Sequence, residues 1–202
     1  RGFGDAGTTQ LANQLQLGLE IDVVRQLQVR DEAAGLDVLV NNAGEQHPQA
    51  RLEDISEEQW EKTFRTNIFG MFQLTKAALP LMGKGGAIIN TTSITAYKGN
   101  PQLIDYSSTK GAITSFTRSL SMNLVNRGIR VNAVCPAVID TDMFRRAYEA
   151  DPRKAEFAAA MHPLGRVGRV EEIAAAVLYL CSDNAGFTTG IALPVDGGAT
   201  AI

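Results

Sequence analysis

From Leu36 onward the chain alternates short, largely apolar runs with longer amphipathic ones. Leu36-Asp37-Val38-Leu39-Val40, closed by Asn41-Asn42-Ala43-Gly44, reads as a strand buried on both faces that ends in a tight loop. Ala87-Ile88-Ile89-Asn90-Thr91 and Ile129-Arg130-Val131-Asn132-Ala133-Val134, the latter ended by Pro136, read the same way, and Ile191 to Val195 is a last short strand. Helical patterns lie between them. Ser56 suits an N-cap, Glu57 and Glu58 suit the helix dipole, and Gln59 completes a capping box. Phe64, Ile68, Phe72 and Leu79 then continue that helix with apolar positions until it frays near Gly83. After a loop holding Gly99, Asn100 and Pro101, a second long helix is predicted from about Asp105 to Asn126, stopped by Gly128. The stretch Thr141–Pro163 reads as a helical excursion with loops at both ends, and Glu171–Cys181 as a further helix.

Strands alternating with helices predict a parallel α/β sheet. No internal repeat or low-complexity linker divides the chain, so residues 1–202 read as a single domain. The first 35 residues fit least. Gly2, Gly4 and Gly7 cluster at the start, Thr8–Leu19 and Val23–Arg30 read as helices, and no strand precedes Gly2. A βαβ unit takes about 30 residues, so at most one fits before Asn41.

Composition narrows the function classes. Hydrophobic residues make up 45% of the 202, enough for one substantial core. No apolar run approaches the roughly 18 residues that span a bilayer, and no N-terminal stretch has the build of an export signal, so a soluble, cytoplasmic protein is expected. A net charge of −3 leaves no electrostatic footprint for nucleic acid or anionic lipid. Cys135 and Cys181 are read as reduced and mostly buried; with His47 and His162 they form no metal-ligand cluster, and no metal is expected.

Candidate chemistry gathers around Tyr106 and Lys110, four apart and therefore on one helix face. A free tyrosine, with a pKa near 10, is a poor base at neutral pH; a cation one turn away favours the phenolate and brings that value down. The pair alone also suits a solvated helix face. Ser93, however, directly follows a buried strand, so Ser93 and Tyr106 would share the carboxyl edge of a parallel sheet, where ligands bind in open α/β folds. Asn67 sits within a helix, where asparagine is unfavourable on propensity and so is a candidate for a polar task.

The order and spacing of Asn41-Asn42-Ala43-Gly44, Asn67, Ser93, Tyr106-Ser107-Ser108-Thr109-Lys110, Ile129-Arg130-Val131-Asn132 and Asp196-Gly197-Gly198 resemble the short-chain dehydrogenase/reductase family. Pro163-Leu164-Gly165-Arg166 followed by Glu171-Glu172-Ile173-Ala174 also resembles its classical members. The resemblance implies a Rossmann-like doubly wound parallel α/β sheet and an NAD- or NADP-dependent oxidoreductase acting on an alcohol/carbonyl pair. By the same resemblance Tyr106 is the general acid/base, Ser93 holds the substrate oxygen, Lys110 tunes Tyr106 and binds the nicotinamide ribose, and Asn67 positions a water in the proton relay. Asn42, Ala43 and Gly44 would line the adenine-side ribose, and Ile139 and Thr141 would meet the nicotinamide carboxamide. The segment Asp142–His162, with Met143, Phe144, Tyr148, Phe157 and Met161, would cover an apolar or aromatic-tolerant substrate pocket. The two long helices and the segment Ile191–Ile202 would form a homodimer or homotetramer.

Two departures qualify the resemblance. The family's opening strand and Thr-Gly-x-x-x-Gly-x-Gly turn are matched only by Arg1-Gly2-Phe3-Gly4, and Asp22-Val23 resembles its adenine-contacting dipeptide in a poorly matching neighbourhood. The N-terminal strands thus read as missing or truncated, and no residue choosing between NAD and NADP is identified. Pro136-Ala137 also stands where the family has Pro-Gly. An alternative therefore stays open: a nucleotide-independent ester hydrolase with Ser93 as nucleophile and Tyr106/Lys110 as base, although Thr91-Thr92-Ser93-Ile94-Thr95 lacks a Gly-x-Ser-x-Gly elbow. A non-catalytic binding protein is a third reading, opposed by the retention of Asn67, Ser93, Tyr106 and Lys110 together.

Overall fold

The computed structural model describes residues 35–142, 144–145, 151 and 153–201. The glycine cluster and two helices expected before residue 35, Asp22, and the lid residues Met143 and Tyr148 lie outside these residues. The apolar runs form four strands, β1 (Val38–Asn41), β2 (Ala87–Thr91), β3 (Arg130–Pro136) and β4 (Ala192–Val195), all parallel in the order β1-β2-β3-β4. Leu39 pairs with Ile88 and Ile88 with Val131, while Asn41 pairs with Asn90 and Asn90 with Ala133.

Helices cover both faces, as in a doubly wound fold. On one face Leu39, Ile88 and Val131 pack with Ala78, Met82, Leu124 and Ile129. On the other, Ile89 and Val134 pack with Leu180, joined by Val40, Ile173, Ala176, Val177 and Leu193. Each such buried Leu, Ile or Val contributes roughly 1.5–3 kcal/mol relative to exposure, so this sandwich is the main support of the sheet.

The first long helix departs from expectation in two ways. It is not continuous: α1 (Glu57–Phe64) passes into a π-helical turn (Arg65–Gly70), then α2 (Met71–Ala78) and a 3-10 turn (Leu79–Leu81). Its buried face is not the apolar stripe either. Thr63, Asn67, Met71, Thr75 and Ala78 point inward, while Phe64 and Ile68 are half-buried and Phe72 is 46% exposed. The inward residues meet a polar layer, described below, that apolar periodicity could not anticipate. The capping box is half formed. Ser56 Oγ accepts from Gln59 N at 3.1 Å, but the Gln59 side chain turns away to His47 O and Asp105.

The second long helix, α3 (Ile104–Leu124), lies close to its expected bounds and is closed by a 3-10 turn with Gly128 at φ +67°, a left-handed position suited to glycine. Among the described residues, α4 (Arg153–Ala160) lies within the expected excursion and α5 (Val170–Cys181) follows it. Cys135 is buried, Cys181 is half-buried, and both are free thiols.

Several of the family-like motifs prove to be braces. Arg130 donates to the carbonyls of Leu180, Cys181 and Ser182, tying β3 to the end of α5. Asn132 donates to Thr188 O and accepts from Ile191 N, setting the approach to β4. Arg166 makes two hydrogen bonds to Glu172, which also accepts from Arg169 N at the start of α5. Gly197 and Gly198 adopt φ +59° and +88° against His162 and Pro163, where a Cβ would meet side-chain atoms at 3.3 and 3.0 Å. No helix among the described residues is long and apolar enough to cross a membrane.

Candidate active site

The layer between the sheet and α2/α3 changes character toward the carboxyl ends of the strands. Alternation places Leu39 and Asn41 on one face, and likewise Ile88, Asn90 and Thr92. Asn41 Nδ2 donates to Asn90 Oδ1 at 2.8 Å and to Thr75 Oγ1 at 3.0 Å; Asn90 Nδ2 donates to Thr117 Oγ1 at 2.9 Å. Thr92 Oγ1 donates to Lys110 O at 2.8 Å and lies 3.0 Å from Thr114 Oγ1. Each bond is worth only about 1 kcal/mol net, but leaving a buried partner unpaired costs more, so this ladder holds α3 in one register on the sheet.

That register sets Lys110. Its side chain is 3% exposed and its Nζ donates to Thr91 O at 2.8 Å, at the end of β2. The ammonium lies 5.3 Å from the centroid of the Tyr106 ring, one helical turn away. Burial lowers the Lys110 pKa to about 8, against a smaller upward pull from Cys135. Cys135, on β3, is itself pushed up to about 12 by burial and by Asp196, with Lys110 acting in the opposite direction.

Ser93 follows β2 in extended conformation and caps a 3-10 turn (Ile94–Ala96), its Oγ accepting from Thr95 N at 3.2 Å. Its hydroxyl lies near enough to the Tyr106 phenol to favour the phenolate. Tyr106 is half-buried. Burial raises its pKa, the Ser93 hydroxyl pulls it back in part, and Cys135 adds to the rise. The net direction is therefore opposite to the lowering expected from a neighbouring cation. Desolvation of the phenolate outweighs an ammonium that is itself desolvated and bonded to a carbonyl.

Asn67 lies in the π-helical turn, a helix irregularity that recurs at functional sites. Its Oδ1 accepts from Glu45 N at 2.8 Å, and its Nδ2 donates to Glu45 O at 3.0 Å and Thr109 Oγ1 at 3.0 Å. Both amide protons are thus taken, and anything further the side chain offers is an acceptor lone pair. The clamp draws the loop after β1 over the lysine: a Cβ at Gly44 would lie 3.4 Å from Asn67 Oδ1 and 3.6 Å from Lys110 Nζ. Asn42, Ala43 and Gly44 are exposed there, with Asn42 Oδ1 accepting from Thr91 Oγ1 at 2.9 Å.

Ser93, Tyr106, Lys110, Asn67 and the Asn42–Gly44 loop are therefore drawn together. Ile139 and Thr141 stand apart. Ile139 bridges to Gly168, and Thr141 Oγ1 accepts from Phe144 N at 3.3 Å; among the described residues no hydrogen bond links either to Tyr106 or Lys110. The donors present fit the nicotinamide end of a dinucleotide. Lys110 holds two ammonium protons beyond the one given to Thr91, and the hydroxyls of Thr95 and Ser107, sequence neighbours of Ser93 and Tyr106, are buried without partners.

A family model described as "Enoyl-(Acyl carrier protein) reductase" matches residues 22–200. The chain belongs to the short-chain dehydrogenase/reductase family. "Uncharacterized oxidoreductase YhdF" of Bacillus subtilis is 53% identical over 171 residues, covering 85% of this chain and 58% of the relative. "Glucose and ribitol dehydrogenase" of Daucus carota is 45% identical over 172 residues, covering 85% and 58%. A gluconate 5-dehydrogenase from Burkholderia cenocepacia, solved in complex with NADP and tartrate, superposes with a TM-score of 0.81 at 30% identity, covering 90% of this chain and 70% of that one. The chain spans a little over half the length of the curated relatives it matches. The short-chain dehydrogenase/reductase fold accounts for the Rossmann-like architecture, and none of these three is named for ester hydrolysis, so the Ser93-nucleophile alternative gains no support.

Sequence reasoning missed Thr109, Glu45, Asp105 and Cys135. Thr109 and Asp105 flank Tyr106 and Lys110 in the helix and are fully buried; a polar residue at those spacings was the available signal. Glu45 matters here through its backbone and leaves no trace in side-chain pattern.

Proposed function

We propose that this short-chain dehydrogenase/reductase moves a hydride between NAD or NADP and an alcohol/carbonyl pair, with Tyr106 as general acid/base. The observation that carries the reading is the convergence of Ser93, Tyr106 and Lys110, with the Asn42–Gly44 loop beside them, at the carboxyl edge of a parallel sheet. When bound, the nicotinamide supplies the hydride or takes it up; the protein supplies orientation and the proton. Ser93 fixes the substrate oxygen beside the phenol, which takes the proton in oxidation and returns it in reduction. Lys110 would hold the nicotinamide ribose and favour the phenolate, and Asn67 would offer its remaining acceptor to a relay water. Asn42, Ala43, Gly44, Ile139 and Thr141 would line the nucleotide.

The names of these relatives favour a sugar, polyol or sugar acid as substrate. Phe144, Phe157 and Met161 would form part of a lid, Phe157 being 70% exposed and available to close on a ligand. Residues 1–202 are read as one Rossmann-like domain of a cytoplasmic protein. Phe69, Phe72 and Met122, all exposed on the helices of one face, suit burial in a homodimer or homotetramer.

The test is NADH and NADPH fluorescence on binding, followed by nucleotide-coupled oxidation of ribitol and D-glucose and by hydrolysis of p-nitrophenyl acetate. Binding of one nucleotide with coupled oxidation is expected. Ester hydrolysis without binding of either nucleotide would overturn the reading.

A further inference from the structure

Asp105 is 0% exposed, immediately precedes Tyr106, and makes three hydrogen bonds that divide between its two oxygens. Oδ1 accepts from Tyr106 N at 2.8 Å. Oδ2 accepts from Gln59 Nε2 at 3.0 Å and from Thr63 Oγ1 at 2.9 Å, both on α1. Tyr106 N lies in the first turn of α3, where backbone N–H groups have no partner within the helix. The other end of the Tyr106 backbone is also held. Thr109 Oγ1 donates to Tyr106 O at 2.7 Å and accepts from Asn67 Nδ2 at 3.0 Å. The Tyr106 backbone is thus pinned at both ends to one outrigger, α1 and its π-helical turn.

We propose that Asp105 is a positioning residue for Tyr106, holding the tyrosine backbone in register against α1 so that the phenol stays between Ser93 and Lys110. This rests on the reading of Tyr106 as the acid/base. The chemistry explains why a carboxylate stands here. A buried negative charge is costly, and among the described residues no cation is paired with Asp105. Only a carboxylate, however, offers two acceptor atoms on so short a side chain, one for the Tyr106 N–H and one for the two donors of α1. The positive end of the α3 dipole and the three donors offset its burial. The strap extends further: Gln59 Nε2 also donates to His47 O, Gln59 Oε1 accepts from Gln49 Nε2, and Gln49 N donates to Gln102 O in the loop before α3. The loop that carries Glu45 is thereby tied to the same pin.

The test uses the full chain with Asp105→Ala, Asp105→Asn, Thr63→Val and Tyr106→Phe. It reads kcat for NADP-coupled ribitol or D-glucose oxidation, Kd for NADPH by fluorescence, and hydrogen exchange of the Tyr106 amide by NMR. Asp105→Ala is expected to lower kcat at least tenfold with Kd within twofold, and to speed Tyr106 amide exchange at least tenfold. Asp105→Asn, which keeps only one of the two acceptors, should recover part of the loss, and Thr63→Val should cost about threefold. A general loosening would weaken NADPH binding in step with kcat and would show no recovery in Asp105→Asn; that pattern overturns the proposal. So does a kcat within twofold of wild type in Asp105→Ala while Tyr106→Phe is inactive, a result that leaves the function itself standing. Should Asp105→Ala not fold, Asp105→Asn and Thr63→Val decide, and unchanged kcat in both contradicts the pin. Wild-type activity in Tyr106→Phe would instead sink the functional reading, and the amide exchange would then decide the pin alone.

Discussion

The two ends of the layer between the sheet and α2/α3 are built from the same strands and helices but do different work. At the amino ends of the strands it is apolar: Leu39, Ile88 and Val131 against Ala78, Met82 and Leu124. Two residues further along the same strand faces it is polar: Asn41 and Asn90 against Thr75 and Thr117, then Thr92 against Thr114 and Lys110. Apolar contacts are non-directional and tolerate small shifts; hydrogen bonds between buried side chains do not. The amino end stabilises, and the carboxyl end fixes register where, on the proposed function, Lys110 and Tyr106 would meet a substrate.

This contrast can be broken from either side. The largest effect is expected at the polar end from Lys110→Met, which removes the ammonium beside Tyr106: nucleotide-coupled turnover should fall by about a hundredfold or more, read as kcat/KM. At the apolar end Ile88→Ala should destabilise the fold by about 2–5 kcal/mol in urea denaturation, with kcat within a fewfold of wild type. Asn90→Ala should cost about 1–3 kcal/mol, because it takes one buried hydrogen-bond partner from each of Asn41 and Thr117, and unlike Ile88→Ala it should also lower kcat. If Ile88→Ala and Asn90→Ala lowered activity equally per unit of lost stability, the division of labour would fail.

A further effect is in pH dependence. Lys110 has a folded pKa of about 8, below its ordinary 10.5. Between those values the unfolded chain binds more protons, so stability should rise with pH. The burial penalty is complete below about pH 8 and is relieved as pH climbs toward 10.5. Wild type should therefore gain on Lys110→Met across that window in chemical denaturation, and a flat difference would contradict the burial of a charged lysine.

Much of this was legible in the sequence. The four strands, the α3 boundaries and the grouping of Ser93, Tyr106 and Lys110 followed from apolar runs and from motif order. What was hidden has a common physical cause: polar burial. The inward face of α1 and α2 is Thr63, Asn67 and Thr75, and the buried face of α3 includes Thr109, Thr114 and Thr117. Periodicity assumes that inward means apolar, so it marked Phe72 on the helix's apolar stripe and gave no reason to single out Asp105. The direction of the Tyr106 pKa was misjudged for a related reason. Spacing revealed the nearby cation, but the extent of desolvation is a tertiary property.

The most direct test of the central claim is single-turnover hydride transfer in Tyr106→Phe with NADPH binding measured on the same sample. The account predicts NADPH affinity within a fewfold of wild type and a transfer rate lower by about a thousandfold. Transfer at the wild-type rate with the nucleotide bound would show that the proton does not pass through Tyr106, and would contradict the account.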